Sequence, residues 1–190
     1  MKTEQKEISR LLKACKEGNA TAQFDIYKLY YKAMFNTSLR IVNNGDDAED
    51  VMQEAFLSAF SKIDSYRGEV PFGAWLKRIV INKSLTFIKK KNRLNEVNLE
   101  VVDHKLESDN EGLDRASEFN YASIKVKQVK RAMEKLKDNY RMGLNLSLIE
   151  GYDNQEIAEI MNISNENCRT TISRAKSRLR TVLMESAVLN

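Results

Sequence analysis

Pro71 is the only proline in a chain of 190 residues, and the chain holds only seven glycines. So few breakers cannot supply the turns of an all-β fold, which leaves helix as the dominant element. Pro71 also separates two stretches of opposite charge. Before it, Asp46, Asp47, Glu49, Asp50 and Glu54 fall on an amphipathic segment; after it, seven Lys or Arg and no Asp or Glu lie between Leu76 and Arg93. Two oppositely charged helices joined by an Arg67-Gly68 turn suggest one face for a basic protein surface and another for nucleic acid.

Charge is also divided along the whole chain. Residues 1–93 carry 17 basic and 11 acidic groups, residues 94–120 carry 2 and 8, and residues 121–190 carry 12 and 8. Two basic lobes therefore flank an acidic strap. The strap mixes Asn, Ser, Asp and Glu without a sustained period, which predicts a flexible linker. The fold expected is all-α, with two small helical domains at 1–93 and 121–190 joined through 94–120.

Several function classes drop out on composition. Cys15 and Cys168 are far apart, and His104 is the only histidine, so neither a disulfide framework nor a zinc site can be assembled. No metal or cofactor is expected. A nucleophile with its base and a phosphate-binding loop are equally missing, which argues against an enzyme. No apolar run suggests a signal peptide or membrane insertion, so the expected location is cytoplasmic.

Apolar spacing predicts helices at 3–17 and 20–42, with Gly18-Asn19 as the stop between them. Asn43-Asn44-Gly45 breaks the second, and Asp46 or Asp47 is the expected cap of the third. In that third helix Val51, Ala55, Phe56, Ala59, Phe60 and Ile63 point inward, leaving Asp47, Asp50, Gln53, Glu54 and Ser58 outward, as a solvated face or a docking surface. The helix after Pro71 is expected to run from Phe72 or Gly73 to about Lys91. Phe72, Trp75, Leu76, Ile79, Val80 and Phe87 share its apolar arc; Lys83 interrupts the arc and must snorkel out. Beyond the strap, Ile124, Val126, Val129, Met133 and Leu136 restart a helix, and another runs from Tyr140 to Leu148.

The C-terminal pattern is the most specific. Asp153 and Glu156 form a capping box, Ile157, Ala158 and Met161 follow, Asn162 suits a left-handed turn, and Ser164 caps a long final helix. A short helix, a tight turn and a longer helix make a helix-turn-helix. Cys168, Ile172, Ala175, Leu179 and Val182 form the inner stripe of the second helix. Hydroxyl and guanidinium side chains on its outer side suit phosphates and base edges.

Taken together, the run from Asp47 to Phe56, then Tyr66-Arg67-Gly68, Phe72, Trp75-Leu76 and Arg78-Ile79, with Glu156-Ile157-Ala158, Ser164 and Arg174-Ala175 downstream, resemble an extracytoplasmic-function (ECF, group IV) sigma factor of the sigma-70 family. The resemblance spans nearly the full chain. It implies a factor that binds core RNA polymerase, directs it to specific promoters and assists strand opening. The first domain would be region 2-like and the last region 4-like. Docking on the clamp helices of the largest polymerase subunit would fall to Asp50, Gln53 and Glu54, with Phe56 and Phe60 as apolar support. Capture of the unpaired minus-ten strand would fall to Tyr66, Arg67, Lys77, Arg78, Asn82 and Thr86, with Trp75 organising the pocket.

The minus-thirty-five element would be met by Arg169, Thr170, Ser173 and Arg174, with Lys176, Arg178 and Arg180 nearer the backbone. This chain departs from the family pattern at Asn167-Cys168 and Thr171. Promoter DNA, polymerase and an anti-sigma factor are the implied partners. The acidic strap would run through the RNA exit path. Two alternatives come from the residues alone: a stand-alone helix-turn-helix regulator of duplex DNA, and a helical adaptor that meets only proteins.

Overall fold

The computed structural model describes residues 2–97 and 121–188, with side chains over 6–93 and 126–186. Every regular element among them is helical: α1 (Lys2–Lys16), α2 (Ala20–Val42), α3 (Gly45–Ser61), α4 (Phe72–Val97), α5 (Tyr121–Glu134), α6 (Asp138–Leu144), α7 (Asn154–Met161) and α8 (Asn165–Val188). The chain divides into two compact units, residues 1–107 and 108–190. Of the strap expected over 94–120, residues 94–97 are helical as the end of α4, and residues 98–120 lie outside the described residues.

In the first unit α2, α3 and α4 pack against one another, and α1 lies on α2. Ile26, Met34, Met52, Leu76, Val80 and Ile81 are almost completely buried where these helices meet. Each such side chain contributes roughly 1.5–3 kcal/mol relative to exposure. Helices α2 and α4 approach closely at a pair of small polar residues: the Ser38 and Ser84 hydroxyls lie 3.2 Å apart, and Ser84 also donates to the Val80 carbonyl at 2.8 Å. A buried hydroxyl is tolerated only when bonded in this way. Gly73 marks a second close approach, because a Cβ there would stand 2.9 Å from the Tyr30 ring.

Helix α2 has the bounds its periodicity predicts, with Asn19 accepting from the Ala22 N–H at 3.0 Å. The cap of α3 differs from expectation. Asn44, not Asp46 or Asp47, accepts from the Asp47 N–H at 2.9 Å, and the two aspartates sit in the first turn. The left-handed Asn43 reverses the chain early enough to place Asn44 at the cap. Helix α4 also outruns its expected end. Nothing between Asn92 and Val97 breaks a helix, so it propagates to about 39 Å at the standard rise. Its inward arc is wider than predicted: Ile81, Ser84, Leu85 and Ile88 are buried, while Ile79 and Phe87 are only half-buried.

In the second unit α8 is the axis against which α5, α6 and α7 pack. Met133, Leu136, Leu144, Ala175, Leu179 and Val182 belong to one cluster. Val126 and Val129 are exposed instead of core-facing, and the Ile124 side chain lies outside the described residues. The helix expected over Tyr140 to Leu148 narrows to α6 and then widens by one residue through Asn145–Ile149, where the Glu150 N–H reaches the Asn145 carbonyl at 3.0 Å. Buried Arg141 lies one turn before that widening. Its guanidinium donates to Asp138 at 2.8 Å and to the Leu136 carbonyl at 3.4 Å.

The capping box forms as expected. Asp153 Oδ1 accepts from the Gln155 and Glu156 N–H groups at 2.8 Å each, and Glu156 Oε2 accepts from the Asp153 N–H at 2.9 Å. Asp153→Ala is expected to cost about 1 kcal/mol of stability, read as a lower urea midpoint at an unchanged slope.

Candidate functional site

The outward side of α3 is a ridge. Asp50, Gln53 and Glu54 are exposed, and Leu57, with 71% of its surface in solvent, continues the same face at one-turn spacing. Leu57 was missed by sequence reading because an isolated outward leucine carries no periodic signal. Phe56 is buried, with its ring edge-on to Tyr27 at 4.9 Å. Half-buried Phe60 lies 6.0 Å from it. Both aromatics therefore support the ridge from behind.

Two ion pairs join α3 to α4: Lys91 to Asp47 at 2.7 Å and Lys83 to Glu54 at 3.4 Å. The second explains why a lysine interrupts the apolar arc of α4. Lys83 snorkels sideways to the neighbouring helix. Both pairs are partly exposed, so each contributes at most about 1 kcal/mol.

The loop before α4 is shaped by aromatic packing. Tyr66 lies 5.4 Å from both Phe72 and Trp75, and its hydroxyl donates to the Val70 carbonyl at 2.7 Å. Gly68 turns the loop at φ +78°, a conformation that costs a Cβ-bearing residue energy. Tyr66 thus holds the loop closed on itself, and Arg67 and Glu69 project outward. On α4, half-exposed Arg78 and exposed Asn82 and Thr86 recur every four residues and form one stripe, with Lys89 beyond them and Lys77 beside it. Thr86 Oγ1 donates to the Asn82 carbonyl at 2.9 Å.

In the second unit α7, the turn at left-handed Asn162 and α8 form the expected helix-turn-helix. Ser164 caps α8 by accepting from the Asn167 N–H at 3.2 Å. The whole inner stripe from Cys168 to Val182 is buried. Arg169, Thr170, Ser173, Arg174, Lys176, Arg178 and Arg180 are all exposed. Arg178 stands 3.8 Å from Glu185 in a pair open to solvent.

Burial raises the Cys15 thiol, the Tyr66 hydroxyl and the Cys168 thiol above their ordinary values, the last against the opposing charge of Arg169. The folded chain therefore holds these protons more tightly than the unfolded one. Their contribution is complete below the ordinary thiol range and is lost as pH rises through the folded values. The urea midpoint should fall as pH passes about 8.5, and less steeply in a Cys15→Ala, Cys168→Ala variant.

Among the described residues no three His, Cys, Asp or Glu come together to hold a metal ion. No described helix is long and apolar enough to cross a membrane.

Comparison with known proteins gives the arrangement a family. Residues 26–94 match the model of Sigma-70 region 2, and residues 127–179 that of Sigma-70, region 4. The first match runs from within α2, through α3, into the last turn of α4; the second runs from within α5 into α8. The ECF RNA polymerase sigma factor SigW of Bacillus subtilis is 30% identical over 188 residues, covering 94% of this chain and 97% of its own. The ECF RNA polymerase sigma-E factor of Escherichia coli is 30% identical over 144 residues, 74% of this chain and 75% of its own. Among solved structures, sigma factor RpoE in complex with the anti-sigma factor NepR from Bartonella quintana shares the fold with a TM-score of 0.59 at 22% identity, over 84% of this chain and 95% of that one. CnrH in complex with the cytosolic domain of CnrY shares it with a TM-score of 0.52 at 22% identity, over 92% and 96%. With two sigma-70 regions in order and kinship to SigW over 94% of its length, the chain belongs to the ECF sigma factors of the sigma-70 family.

Proposed function

We propose that this chain is a group IV factor working in the cytoplasm, which binds core RNA polymerase, directs it to specific promoters and assists strand opening. The observation that carries the reading is the division of surfaces: an acidic ridge and an aromatic loop leading into a basic helix on one unit, and a helix-turn-helix on the other. A stand-alone regulator needs only the second.

Docking would use Asp50, Gln53, Glu54 and Leu57 against the clamp helices of the largest polymerase subunit, on a base of Phe56 and Phe60. An acidic face with an apolar side chain at its end suits a basic coiled coil. The minus-ten strand would meet Arg67, Lys77, Arg78, Asn82 and Thr86, with Tyr66 and Trp75 shaping the loop that receives it. Unstacking costs a few kcal/mol per flipped base, so the open strand must gain contacts the duplex cannot make. Binding energy would drive opening, and the role is one of binding rather than catalysis. The minus-thirty-five duplex would meet Arg169, Thr170, Ser173, Arg174, Lys176 and Arg178. An anti-sigma factor would cover these faces in the idle state, as such partners assemble with the structurally similar RpoE.

The test is reconstitution. Core polymerase mixed with the full chain and a library of promoters should start transcription at a specific subset. Random or absent initiation, with tight binding of the free chain to intact duplex, would favour the stand-alone regulator.

A further inference from the structure

We infer that Lys16, the last residue of α1, is a positioning residue that fixes how Arg67 meets the parted strand, an inference that rests on the minus-ten role proposed for the loop before α4. The Lys16 side chain is exposed, and its ammonium donates to the Tyr66 carbonyl at 3.3 Å, across 50 residues of chain. The contact belongs to a packed junction. Helix α1 lies against the short turn Ile63–Ser65, and Leu12 and Cys15 share one buried cluster with Ile63, against which Tyr66 also packs.

What the bond holds follows from backbone geometry. Tyr66 closes that turn by donating its N–H to the Ile63 carbonyl at 3.1 Å, and its φ of −72° and ψ of 110° then leave helical geometry. Its own carbonyl has no next turn of helix to meet it, and Lys16 supplies the donor. That carbonyl lies in the same rigid peptide plane as the Arg67 N–H and Cα. Pinning the oxygen therefore sets the direction in which Arg67 leaves the turn.

The Tyr66 hydroxyl closes the loop on itself at the Val70 carbonyl, whereas Lys16 ties the loop to a separate helix. Without Lys16, Arg67 would sit between an untied peptide and Gly68, whose backbone turns freely. A loop ordered before the strand arrives spares binding the cost of ordering it. Lys16 thus adds affinity for the unpaired strand by acting through Tyr66 and Arg67.

Trp75 is the only tryptophan of the chain and lies half-buried 5.4 Å from Tyr66, so acrylamide quenching of the free full chain reads the loop with no DNA present. Lys16→Met should raise the quenching constant by about twofold, as a loosened loop opens more often. Holoenzyme assembled with K16M should bind a single-stranded minus-ten oligonucleotide about fivefold more weakly, while its hold on an upstream duplex fragment stays the same. K16R keeps a charged donor and should restore both readings to within about twofold of wild type. The salt dependence of strand binding should be the same in wild type and K16M. A slope shallower by about 0.7 would make Lys16 a direct phosphate contact and overturn the inference. Unchanged quenching, or unchanged strand affinity, in K16M would overturn it too. Those results with a normal strand preference in the wild-type holoenzyme sink the role of Lys16 alone, whereas a wild-type holoenzyme that does not distinguish the minus-ten strand from an unrelated one removes the role of the loop as well.

Discussion

Glu54→Lys combined with Leu57→Asp is expected to weaken association with core polymerase by at least about thirtyfold, or about 2 kcal/mol. Leu57 holds 71% of its surface in water in the free chain, and burying it against a partner would contribute on the order of 1.5–3 kcal/mol. Reversing Glu54 adds repulsion toward a basic partner and also toward Lys83, which stands 3.4 Å from its carboxylate. Both positions are exposed, so the fold should survive and helix content should be unchanged. Fluorescence titration of labelled chain against core polymerase reads the effect. A change under about threefold would remove the ridge from the docking surface.

Leu76→Ala is expected to destabilise the first unit by about 2–5 kcal/mol. Leu76 is fully buried in the cluster where α2, α3 and α4 converge. Total stability of a domain is about 5–15 kcal/mol, so one truncation removes a large share. Its melting temperature should drop on the order of 10–30 °C. A loss below 1 kcal/mol, measured by urea denaturation, would mean that the surrounding side chains collapse into the space.

The legibility of this chain follows the physics of each segment. Helix α8 was readable in detail because Cys168, Ile172, Ala175, Leu179 and Val182 keep a strict period after a serine cap, with the cations interleaved among them. Helix α2 was readable because asparagines close both its ends. Helix α4 was harder, since it is buried along a broad arc: serine at 84 reads as polar yet sits in the core, bonded to Ser38. Arg141 was invisible for a related reason, as a buried cation whose partners cannot be told from any other charged pair. The ridge was half legible. Its acids follow from the period, but Leu57 gains meaning only when its exposure is seen, and the sequence carries no sign that the Tyr66 hydroxyl donates to the Val70 carbonyl. Pattern alone leaves those acids as a docking surface or a solvated face, and the docking role proposed above draws on kinship as well.

Helices α3 and α4 share one interior, with Met52 and Ala55 from one side meeting Leu76 and Val80 from the other. No hinge separates the surface proposed for the polymerase from the one proposed for the parted strand. Their spacing behaves as a fixed gauge: wherever the larger machine seats the first, the second is delivered at a set offset. Substitutions that soften this shared interior should blur where synthesis begins before they reduce how much is made, a signature visible in the spread of transcript 5′ ends.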